Sequence, residues 1–116
     1  PSTMLWNMVD VRDAARAHRL AAESLNAKNG SRYILSASDR SGEMFTWELQ
    51  AKLKELFPDI DVVGGEQMAD GKPTNPTYDS PRSSCSLAQS ELGLETYSIE
   101  ETLLATGNSQ IQLGLV

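Results

Sequence analysis

The sequence predicts an α/β fold with short parallel strands and covering helices, and three observations carry that prediction. Apolar runs of strand length alternate with stretches of helical periodicity along the 116 residues. One run, SRYILSA at 31–37, reads as a strand covered on both faces, of the kind found in parallel sheets. An apolar content of 40% fits a folded globular chain and is too high for a disordered one.

The first element, MLWNMV at 4–9, reads as a short strand. Asp10 follows where a helix would start, and its carboxylate can accept from the free amides of the first turn. Asp13 adds negative charge in that turn, where the helix dipole favours it. Val11, Ala14, Ala15, His18, Ala21, Ala22 and Leu25 then recur at helical spacing, with Arg12, Arg16, Arg19 and Glu23 outside the stripe. This predicts an amphipathic helix over about 11–27 that Asn29-Gly30 ends. Its Ala-rich stripe suits close packing on a sheet.

After the strand at 31–37, Ser41-Gly42 marks a turn. Phe45, Leu49, Leu53, Leu56 and Phe57 repeat at helical spacing until Pro58 stops them. Residues 60–63 read as a short strand. Residues 64–83 lack periodicity and hold Gly64, Gly65, Gly71, Pro73, Pro76 and Pro81, which predicts a long loop that is a functional lid, a wrapping loop or a disordered segment. A short helix over 86–92 ends at Gly93. Ser98-Ile99-Glu100-Glu101 is a capping box opening a last helix that Gly114 closes. Only three strands are visible, so the sheet reads as incomplete, with an exposed edge. A chain beginning at Pro1 without an initiator Met also reads as a segment of something longer, and PSTMLWNMVD lacks the features of a signal peptide.

Composition excludes several functions. The net charge is −6, with 16 acidic against 10 basic residues, and there is no Lys/Arg block, so no nucleic-acid partner is expected. The apolar runs are too short for a membrane span. One cysteine, Cys85, and one histidine, His18, allow neither an internal disulfide nor a Cys/His metal site, and a reducing, cytoplasmic setting is the expectation. No G-x-G-x-x-G, Walker, HExxH or GxSxG motif is present.

The isolated reactive residues read as structural. Cys85 is a small residue at a helix start, and His18 a packed residue with one satisfied ring nitrogen. Asp10, Asp13, Glu100 and Glu101 are explained by caps, and Asp59 and Asp61 by solvation. Trp6 and Trp47 suit an aromatic pocket, a helix–sheet seam or a partner surface.

The motif order nonetheless resembles a known family. Val9-Asp10-Val11-Arg12-Asp13-Ala14-Ala15-Arg16-Ala17-His18 is similar to the V-D-V-R-D-V-A-x-A-H segment of the extended short-chain dehydrogenase/reductases, in the branch of dihydroflavonol, cinnamoyl-CoA and aldehyde/ketone reductases. Gly30 to Ser36 resembles that family's G-R-Y-I-L-S strand, and Leu53 to Pro58 its L-x-x-x-F-P helix end. Leu92-Gly93-Leu94 with Ser98 to Leu103 resembles its L-G-F … S-L-E-E-T ending, and Leu113-Gly114-Leu115 its G-L-L close. Each motif alone is weak; their shared order and spacing over nearly the whole chain is what is specific.

The resemblance implies that residues 1–116 form the C-terminal, substrate-side part of a Rossmann-like reductase. Within it, 64–83 would be a variable loop near substrate. The family transfers a hydride from NADP or NAD to a carbonyl compound, with a Tyr as acid. Its glycine fingerprint and its Ser and Tyr-x-x-x-Lys residues would lie N-terminal to Pro1, so no catalytic or cofactor-binding residue carries over. The implied partners are that N-terminal Rossmann part and a small carbonyl substrate. Asn7, just before the V-D-V-R-D motif, falls where related reductases face the substrate. Two other readings stay open: a stand-alone, non-catalytic α/β binding or interaction module, and part of a nucleotide-sugar epimerase or dehydratase.

Overall fold

A computed structural model describes residues 5–37, 43–65 and 83–116. Its first strand, β1 (Leu5–Asn7), runs into Asp10, whose Oδ1 accepts the Arg12 amide at 2.8 Å and so caps helix α1 (Val11–Glu23). The helix stops sooner than Asn29-Gly30. Ser24 leaves the helical conformation at ψ 129°, and its hydroxyl accepts the Asn26 amide at 3.1 Å. A serine that bonds the backbone two residues on competes with further helical turns. Asn29-Gly30 instead makes a reverse turn, with Ser31 N–H on the Lys28 carbonyl at 3.0 Å and Gly30 at φ +86°.

Strand β2 (Glu43–Phe45) pairs with β1, and helix α2 (Thr46–Leu56) follows without a linker. Glu48 reaches back to the Phe45 amide at 2.7 Å, satisfying a donor at the helix start. Pro58 ends α2 as expected, with Phe57 N–H closing on the Leu53 carbonyl at 2.9 Å. Helix α3 (Ser86–Leu92) ends on Gly93, which takes the left-handed conformation at φ 65°. Helix α4 (Ile99–Gln112) opens on the expected capping box: Ser98 Oγ accepts the Glu101 amide at 3.2 Å, and Glu101 accepts the Ser98 amide at 2.9 Å. Gly114 follows α4 at φ +68°, and Leu115 N–H bonds the Gln110 carbonyl at 3.0 Å.

The architecture is mixed α/β, with four helices and a two-stranded antiparallel sheet among the described residues. The sheet differs from the expected one. Residues 31–37 form no strand; Ala37 N–H bonds the Met8 carbonyl at 3.0 Å, and the Tyr33 hydroxyl bonds Glu91 at 2.8 Å. Residues 60–63 turn locally, with Ile60 N–H on the Phe57 carbonyl and Val62 N–H on the Ile60 carbonyl. Apolar runs become strands only where a neighbour supplies a ladder, and neither run has one here. Most of the predicted loop at 64–83 lies outside the described residues, as does the turn at Ser41-Gly42.

The described residues fall into two compact units. One holds residues 7–37 and 83–102, with a core of Ala17, Ala88, Leu92 and Leu94 against which Leu20, Tyr33 and Leu35 pack. The other holds residues 5–6, 43–65 and 103–116. In it Trp6 donates its indole N–H to Thr46 Oγ1 at 3.0 Å, and the Phe57 ring lies against Gly107 of α4.

The buried face of α1 is not the expected stripe. Asp13 and Ala17 are its buried residues, while Val11 is 79% and Leu25 102% exposed. The helix is turned by about a third of a revolution from the predicted orientation, at 3.6 residues per turn. On the inward face Ala17, Leu20 and Ala21 join the core, and the Asp13 carboxylate beside them accepts a backbone amide from 84 residues away.

Candidate functional site

The most organised polar cluster lies at the N-terminus of α1, within the unit that holds α1 and α3. Asp10 is placed there by its capping role and Arg12 by the first helical turn. Arg12 grips the Asp10 carboxylate with Nε at 2.9 Å from Oδ1 and Nη2 at 2.7 Å from Oδ2. The two parallel bonds hold the Asp10 carboxyl down at about 2, and the same contact raises the Arg12 guanidinium further above its ordinary range. The guanidinium also lies 3.8 Å from the centre of the Tyr97 ring, within cation–π range.

Asp13 faces the other way. It is 1% exposed, and its Oδ2 accepts the Tyr97 amide at 2.8 Å. Its Oδ1 is buried without a hydrogen bond, with Arg16 Nη1 at 4.0 Å. Arg16 spends its own donor on the Glu95 carbonyl at 3.0 Å. Arg12, Asp13 and Arg16 of α1 thus clasp Glu95 and Tyr97, with Asp10 paired to Arg12 at the helix cap. This arrangement positions backbone; it presents no free nucleophile or base.

The remaining sequence candidates are dispersed. Asn7 is exposed at the end of β1. Cys85 is buried at the N-cap of α3, as expected of a small residue at a helix start. His18 is exposed, not packed inward; the rotation of α1 turns it out, while one ring nitrogen, Nδ1, is satisfied by the Ala14 carbonyl at 2.7 Å. No hydrogen bond joins His18 to Cys85, so the structure forms no Cys–His pair. Asp59 and Asp61 are exposed, in line with solvation. Glu101 is held as a carboxylate by the Ser98 amide and hydroxyl, which lower its pKa. Trp47 is half-buried on α2.

Sequence reasoning missed Tyr97 and the tie between Tyr33 and Glu91. The Tyr33 hydroxyl donates to Glu91 at 2.8 Å, and that bond raises the pKa of the phenol. Nothing local signals a partner 58 residues away. Tyr33 and His18 border a groove of about 140 Å³ floored by Ala17, Ala21, Leu35 and Leu92. That is smaller than the roughly 300–1,000 Å³ of ordinary small-molecule sites.

The described residues do not fit a nicotinamide dinucleotide. Such a ligand sets its pyrophosphate on a glycine-rich helix start. Here the residues preceding α1, α2, α3 and α4 are Asp10, Phe45, Cys85 and Ser98, and the Asp10 carboxylate already occupies the Arg12 amide in the first turn of α1. Among the described residues no three His, Cys, Asp or Glu side chains gather as a metal site, and no helix is long and apolar enough to cross a membrane. Comparison with protein-family models, curated proteins and solved structures finds no match for the chain.

Proposed function

We propose that the chain is the C-terminal, substrate-side part of an NAD(P)H-dependent carbonyl reductase resembling the extended short-chain dehydrogenases, completing a Rossmann-like fold supplied by an N-terminal part. The observation that carries this reading is the ordered motif series from Val9-Asp10-Val11-Arg12-Asp13 to Ser98-Ile99-Glu100-Glu101-Thr102. The local chemistry of those motifs supports it. Asp10 caps a helix, Asp13 ties that helix to the segment before α4, and Ser98 with Glu101 starts α4. In this reading the motif residues are scaffold, NADP or NAD is bound by the N-terminal part, and the chain's contribution to the substrate pocket is Asn7. The setting is cytoplasmic.

Two measurements test it. The reading frame upstream of the Pro1 codon is expected to encode a glycine fingerprint followed by Tyr-x-x-x-Lys, and a start codon close to Pro1 overturns the proposal. NADPH titrated into the isolated chain is expected to give no saturable binding, and micromolar affinity would count equally against it. A second reading, a non-catalytic interaction module, is favoured by the exposure of Val11 on α1 and of Leu25 just beyond its end. A monodisperse chain that unfolds cooperatively by itself would favour that module.

A further inference from the structure

We draw no further inference here: the strongest candidate, the exposed apolar face of Val11, Ala15 and Ala22 on α1 with Leu25 just beyond it and the shallow groove beside it at His18 and Tyr33, is an unpartnered face and nothing in the structure shows what covers it.

Discussion

Replacing Asp10 by Asn separates the charge of this residue from its capping role. Asparagine caps a helix about as well as aspartate, so the Asp10→Asn change removes mainly the ionic bond to Arg12. The magnitude follows from titration. A carboxyl that ionises at about 2 in the folded chain and at its ordinary 3.8 in the unfolded one contributes about 2.4 kcal/mol once fully charged. The Arg12 side chain is 44% exposed, so solvent screening reduces this to about 1–2 kcal/mol. The sign is set by the depressed folded value. Between the two values the unfolded chain binds more protons, so the contribution is complete above about pH 5 and is lost as pH falls toward 2.

The assay is urea unfolding followed by circular dichroism, for the native sequence and Asp10→Asn, at a series of pH values. The two are expected to differ by about 1–2 kcal/mol at neutral pH and to converge near pH 2. Glu101 also loses stabilising bonds to Ser98 on protonation; these are its largest influence and are common to both proteins, while the Asp10 charge acts on it only as the last of its causes. Asp10→Ala is expected to cost about 1 kcal/mol more than Asp10→Asn at every pH, through the lost cap. A gap that stays constant down to pH 2 would refute the reasoning, because it would not come from an ionised carboxylate.

Three further substitutions test the packing. Asp13→Ala leaves the part-buried Tyr97 amide without its acceptor and should cost about 1–3 kcal/mol; hydrogen exchange at that amide should accelerate, and unchanged protection would show that the clasp is not what orders the segment. Gly107→Ala should destabilise, since the new methyl overlaps the Phe57 ring and outweighs the roughly 1 kcal/mol that Ala gains over Gly in a helix; a rise in Tm would contradict this, and adding Phe57→Leu should restore stability. Gly93→Ala should cost about 1 kcal/mol in denaturant midpoint through its left-handed backbone alone, since a methyl there meets no atom within 4 Å.

The helix ends other than that of α1, which stops at Ser24 rather than Asn29-Gly30, were legible in the sequence because their chemistry is local. Asp10 binds an amide two residues on, Ser98 and Glu101 bind each other three residues apart, and Gly93 owes its place to having no Cβ. Such signals survive in any tertiary setting. The exposed aspartates at 59 and 61 and the place of Cys85 at the start of α3 were legible for the same reason: their immediate neighbours account for them.

The sheet and the site depend on distant partners. The residues at 31–37 have the composition of a strand, but a strand exists only with a ladder, and composition does not say whether a neighbour is within reach. Glu43–Phe45 has less strand character and pairs because β1 lies beside it.

The orientation of α1 shows the same division most sharply. Apolar periodicity selects the face of Val11 and Leu25, whereas the structure buries the face of Asp13 and Ala17. The sequence by itself determined the capped start of α1, the ends of α2 and α3 and the start of α4, that the chain mixes strands with helices, and that it carries no local cofactor fingerprint. Only the tertiary structure decided which face of α1 turns inward, which segments pair, and that Asp13 meets Tyr97. The physical reason is range. Caps are satisfied within a few residues, while a buried carboxylate takes whatever donor the fold delivers to it, here from 84 residues along the chain.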